Sequence, residues 1–129
     1  LVPHRDEFSE TVGYNITINE ATLLFIPDID KWGEWEIDII KLIEQVDYAF
    51  LDATFYKNGE LKRDMSEIPH PFVEESMQLL SELSDRDKQK VYFIHFNHTN
   101  PLLIENSTAQ KEVQKEGFNL AKEGQIIEF

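Results

Sequence analysis

Three apolar runs in this chain end on a residue able to bind a metal or move a proton. Leu24-Phe25-Ile26-Pro27 leads into Asp28, Tyr48-Ala49-Phe50-Leu51 into Asp52, and Tyr92-Phe93-Ile94 into His95. If the runs are parallel neighbours of one sheet, all three side chains emerge at the edge where α/β sheets bind ligands. Two carboxylates gathered there would repel one another unless a cation or a shared proton offset the repulsion. Asp is also common where strands turn, so Asp28 and Asp52 taken singly read equally well as turn or cap residues.

The four histidines, His4, His70, His95 and His98, all fall at element boundaries, where loops on a rigid scaffold position reactive groups. His70 lies between Pro69 and Pro71, which restrict its backbone and set it before a helix. A positive helix end favours neutral imidazole and an Asp52 partner favours imidazolium, so the two together would poise a proton donor. His95 and His98 are three residues apart; strand alternation sends them to opposite faces unless the chain turns, so only one of them is expected to be a ligand.

The elements that must carry these residues can be read from periodicity. Thr11 to Ile18 and Ala21 to Ile26 form a hairpin about Asn19-Glu20, and Pro27 ends its second strand. Trp32, Trp35, Ile39, Ile40, Leu42 and Ile43 mark a helical stripe starting at Lys31, with the tryptophans in the core rather than in an exposed contact patch. Val46 to Leu51 is a strand, and about eighteen residues from Ala53 to His70 lack periodicity, a length typical of functional loops. A helix from Pro71 to Ser84, a charged turn from Asp85 to Lys90 and a strand from Val91 to Phe96 follow. Ser107 or Thr108 caps a short helix through Glu116, and Gln125 to Phe129 is expected as a terminal strand. This order gives an α/β layer whose later strands run parallel.

Composition narrows the classes. The chain has 129 residues, 41% of them hydrophobic, enough for one folded domain. Its net charge of −13 disfavours nucleic acid and anionic lipid as partners. No apolar run approaches the roughly 20 residues that span a bilayer. The absence of cysteine leaves His, Asp and Glu as the metal ligands available. Nothing in the composition chooses between cytoplasm and periplasm, and association into a homo-oligomer is left open. The opening Leu1-Val2-Pro3-His4 has no starting Met, so the chain is expected to be a piece of a longer one.

With these residues laid out, the chain resembles the second half of metallo-β-lactamase-fold proteins, in the branch that contains ribonuclease Z and the coenzyme PQQ synthesis protein B family. The resemblance runs from His4 to about Leu103. It rests on Pro3-His4-Arg5 before Val12-Gly13-Tyr14-Asn15-Ile16, Leu24-Phe25-Ile26-Pro27-Asp28, Leu51-Asp52-Ala53-Thr54-Phe55, Ile68-Pro69-His70, and Phe93-Ile94-His95-Phe96-Asn97 followed by His98-Thr99-Asn100-Pro101. Pro27 stands where many members have Gly, and His98 where the PQQ-linked branch has Asn.

The resemblance implies an α/β fold: the C-terminal half of an αββα sandwich, a mixed sheet with flanking helices, spanning residues 1–129. It implies His4, Asp28 and His95 as metal ligands, Asp28 bridging two ions, His98 as a candidate supporting residue behind them, and Asp52 with His70 as a proton-transfer pair. The implied cofactor is zinc, one or two ions, although histidine and carboxylate also suit iron or manganese.

The family's His-x-His-x-Asp-His motif does not occur in the sequence and is expected in a missing N-terminal half, so the metal site should be incomplete in this chain. The implied reaction is attack of a metal-bound hydroxide on an ester, phosphoester or amide of a small-molecule substrate. The alternatives are redox chemistry on a quinone precursor, as in the PQQ-linked branch, or a truncated interaction domain without catalysis.

Overall fold

The computed structural model describes residues 1–5 and 8–128. Five strands form one mixed sheet in the order β1-β2-β3-β4-β5: β1 Tyr14–Ile18, β2 Ala21–Ile26, β3 Tyr48–Asp52, β4 Val91–Ile94 and β5 Asn119–Leu120. β1 and β2 are antiparallel about Asn19, whose φ of 54° is the left-handed value that a tight turn asks for and that Asn tolerates. The pairs β2–β3, β3–β4 and β4–β5 are parallel, as the alternation of apolar strands with helices implied.

The register sorts side chains by face. Ile26 stands opposite Leu51 and Leu51 opposite Phe93, while Leu24, Ala49 and Val91 form the row below. All six are buried in one cluster with Ile39 and Ile43 of α1 (Ile39–Glu44), Val73 and Met77 of α2 (Val73–Leu79), and Val113 of the helix Thr108–Lys115. Each large apolar side chain buried there contributes about 1.5–3 kcal/mol of transfer free energy.

The alternate positions face the other way. Tyr14, Phe25, Phe50 and Tyr92 line up across four strands and remain partly or largely exposed, with the Phe50 and Tyr92 rings stacked at 5.3 Å between centroids. One face of the sheet is therefore covered by helices and the other carries an aromatic row without a covering layer among the described residues.

Several expected boundaries shift, each for a local reason. The single helix expected from Lys31 is a 3-10 turn, Trp32–Glu34, followed by α1, because the Asp38 carboxylate accepts from Ile40 N at 3.0 Å and starts a new helix there. Trp32 and Trp35 do pack against the core. The charged stretch after Ser84 is a short helix, α3 (Asp85–Lys88), capped by Ser84, and the helix capped by Ser107 is α4.

The terminal strand expected at Gln125 to Phe129 is not there: residues 125–128 form no strand, and Phe129 lies outside the described residues. β5 instead uses Asn119, whose amide donates to the carbonyls of Gln89 at 2.8 Å and Val91 at 3.2 Å. Among the described residues no helix is long and apolar enough to cross a membrane.

The long loop after β3 has a small core of its own, Phe55, Met65, Ile68 and Phe72. Its carbonyls at Phe55 and Tyr56 accept from Val73 N and Glu74 N, two amides of the first turn of α2 that lack helical partners. Glu75 accepts from Phe72 N at 2.8 Å and pairs with Lys31 at 2.7 Å, joining that turn to the segment after β2. His70, just ahead of α2, is thereby held against the sheet rather than carried on a free loop.

Candidate metal and proton-transfer site

β2, β3 and β4 run in one direction, so Asp28, Asp52 and His95 leave the sheet at the same edge. His95 follows the last residue of β4 with a φ of 65°, a left-handed value uncommon for a residue other than glycine. His4 arrives on the segment ahead of β1, which is stitched down by Asp30 N donating to Pro3 O at 2.8 Å and Val2 N donating to Thr11 O at 3.1 Å.

Asp52 is the centre of the cluster and is fully buried. Its Oδ1 accepts from Thr54 N at 2.9 Å and Thr54 Oγ1 at 2.6 Å; its Oδ2 accepts from Ile29 N at 3.2 Å and from His70 Nδ1 at 2.7 Å. Burial alone would push this carboxyl up, but bonding to His70 and Thr54, with the His95 imidazole close by, outweighs burial and holds it down at about 2. The nearby Asp52 carboxylate raises the His95 imidazole above its ordinary value against the opposing effect of burial.

Asp28 differs in kind. Its Oδ1 is buried and has no hydrogen-bond partner, although His4 Nε2 stands 3.2 Å away and His70 Nδ1 3.5 Å away. His4 is 8% exposed at its side chain, and its Nδ1 is also buried without a partner among the described residues. His4 Nε2 and Asp28 Oδ1 thus approach closely without hydrogen-bond alignment. Their 3.2 Å separation is close to the edge of about 3.3 Å expected between tetrahedral ligands at zinc–ligand distances of about 2.0 Å.

Asp28, Asp52 and His70 offer ligand atoms that all lie within 4.8 Å of one another. The donor count nevertheless separates the two aspartates. A carboxylate has about four lone-pair sites, and Asp52 already receives four donors. A free buried oxygen remains on Asp28, and the residues present fit a divalent cation there.

The expected residues are therefore brought together with one exception. His4, Asp28, Asp52, His70 and His95 share the sheet edge, whereas His98 is exposed and makes no hydrogen bond or ion pair with them. His95 is half exposed, its Nδ1 3.7 Å from Asp52 Oδ1 and 3.0 Å from Thr54 Oγ1.

Two residues given no role from the sequence prove central. Thr54 touches Asp52, His70 and His95 through one hydroxyl. Asn100 is buried, donates to the carbonyls of Ala53 at 2.8 Å and Thr54 at 3.1 Å, and accepts from Leu102 N at 2.9 Å. The signal for Asn100 was an Asn directly before Pro101, a turn-forming pair that says nothing of burial.

Comparison with known proteins bears on the fold and the family. Coenzyme PQQ synthesis protein B of Gluconobacter oxydans (strain 621H) is 27% identical over 89% of this chain and 39% of its own length. The protein of the same name from Acinetobacter baumannii (strain ACICU) is 28% identical over 98% of this chain and 44% of its own. The chain thus spans about two fifths of the length of these relatives. The crystal structure of Zn(2+)-bound PqqB from Methylobacterium extorquens matches with a TM-score of 0.73 at 22% identity, covering 91% of this chain and 40% of that one, which establishes a shared fold. The family described as Beta-lactamase superfamily domain matches residues 2–96, about three quarters of the sequence, and the chain belongs to that family.

Proposed function

We propose that this chain supplies one wall of a metal-dependent hydrolytic centre, with His4, Asp28 and His95 as ligands and Asp52 with His70 as the proton-transfer pair. The carrying observation is the contrast between the two aspartates: Asp52 is saturated by four donors, and Asp28 keeps a buried oxygen with none. A divalent ion held there would supply Lewis acidity toward an ester, phosphoester or amide and would acidify water. Zinc is the first candidate, since the solved relative from Methylobacterium extorquens is Zn(2+)-bound; iron and manganese suit the same ligand types.

The chain's own groups then divide the work. Asp52, an acceptor at every lone pair, requires a proton on His70 Nδ1 and so leaves Nε2 as the atom that gives or takes a proton. Ile29 N and Thr54 N hold the carboxylate in place from the ends of β2 and β3. The remaining ligands, and the layer covering the aromatic row of Tyr14, Phe25, Phe50 and Tyr92, would come from the missing N-terminal half of the same domain. The substrate would be a small molecule, since a net charge of −13 opposes polyanions.

A second reading follows from the names of the matched relatives: a part in coenzyme PQQ synthesis, with redox chemistry on a quinone precursor. Metal identity separates the two. The test is elemental analysis of the full-length protein, with turnover of an activated ester, a phosphodiester and an amide by the zinc-loaded form. D28A is expected to lose metal and turnover together, whereas unchanged metal content in D28A overturns the ligand assignment. A redox-active metal without hydrolysis of any of the three substrates selects the second reading.

A further inference from the structure

Thr54 stands where three functional groups meet, and the chemistry of a hydroxyl limits how it can serve them. It has one proton to give and lone pairs to receive with. Four donors converge on the two oxygens of Asp52, so no carboxyl proton fits between them, and the 2.6 Å contact from Thr54 Oγ1 to Oδ1 must use the hydroxyl proton. The hydroxyl oxygen is left with lone pairs only. His95 Nδ1, 3.0 Å away, can then bond to it only by donating.

We propose that Thr54 is a positioning residue that relays the acceptor character of Asp52 to His95 and fixes its neutral imidazole as the Nδ1–H tautomer, leaving Nε2 as the nitrogen with a free lone pair. His70 receives the same instruction from Asp52 Oδ2 without an intermediary. His95 is too far for that, at 3.7 Å from Oδ1, and the hydroxyl bridges the gap.

The backbone holds the relay at its working length. Ala53 N donates to Ile94 O at 2.9 Å, Asn97 N donates to Thr54 O at 2.9 Å, and the Asn100 amide donates to the carbonyls of Ala53 and Thr54. Thr54 is thereby tied to the loop carrying His95 on both sides of that histidine.

The consequence for metal binding rests on the reading of His95 as a ligand: a histidine binds through its unprotonated nitrogen, and a partner on the other nitrogen decides which one that is. The experiment uses the full-length protein. Long-range proton–nitrogen NMR of the metal-free form, in alkaline buffer where imidazoles are neutral, reads the His95 tautomer, with the signals assigned from H95Q.

Wild type and T54S are expected to show Nδ1–H at His95, and T54V to lose that preference. Zinc titration should place T54S within about twofold of wild type and T54V about 10- to 100-fold weaker. Wild type with Nε2–H overturns the proposal whether or not T54V folds, as does a folded T54V with the wild-type tautomer. If no form binds zinc, the metal reading falls, while the tautomer still decides the role of Thr54.

Discussion

His70 Nδ1 and Asp52 Oδ2 stand 2.7 Å apart, joining a histidine set between two prolines to the last residue of a central strand. The contact occupies the imidazole nitrogen that lies 3.5 Å from Asp28 Oδ1, which supports reading the pair as a proton-transfer unit beside the proposed ligands. D52N in the full-length protein should retain its metal, because Asp52 has no lone pair to spare, while turnover falls roughly 10²–10⁴-fold, the usual scale for general acid–base groups. Metal content and kcat measured on the same preparation check it; joint loss of both would make Asp52 a ligand instead.

Acid stability follows from the same carboxylate. Its pKa in the folded protein is about 2 against an ordinary 3.8, so the unfolded chain takes up the proton first as pH falls. The stabilisation is complete above about pH 4 and lost as pH falls toward about 2, and a shift of that size is worth about 2 kcal/mol. Urea denaturation of metal-free protein across this window should show the loss in wild type, and D52N should lack that part of the slope.

Asn100 offers a prediction without chemistry. Its side chain satisfies two carbonyls and one amide in a buried place, so N100L should leave those groups unpaired and destabilise by about 1–3 kcal/mol per stranded group. Denaturant midpoints check it, and a change under 0.5 kcal/mol, the range usual for exposed sites, would contradict the buried role.

The core prediction compares two isoleucines. Ile43 of α1 is buried beneath the sheet, and Ile126 lies largely exposed near the end of the chain. I43A should cost about 2–5 kcal/mol and I126A less than about 0.5 kcal/mol. Thermal unfolding of both variants gives the comparison.

Most of the site's placement was legible because it depends on strand ends, and apolar runs that stop at Asp28, Asp52 and His95 mark such ends directly. The α/β class followed from the same runs. The single helix from Lys31 was misread because the apolar spacing continues through Asp38, whose side chain caps a new helix in the middle of the pattern. β5 was not read because its two residues, Asn119–Leu120, are too few to show an alternation, whereas the apolar Ile126-Ile127 pair that suggested a strand finds no partner strand.

Thr54 escaped notice for another reason. Its partners come from segments 2, 16 and 41 residues away, so its role exists only once three separate stretches meet.

The strand order has a further consequence for how the molecule assembles. Every strand pairs with its neighbours in sequence, so the sheet grows by adding each new strand to the one made just before it. During synthesis, the cradle around Asp52 could close as soon as Asn100 leaves the ribosome, ahead of α4 and β5. Loop-closure entropy is met in modest successive steps rather than in one long-range search, which favours rapid formation of this edge.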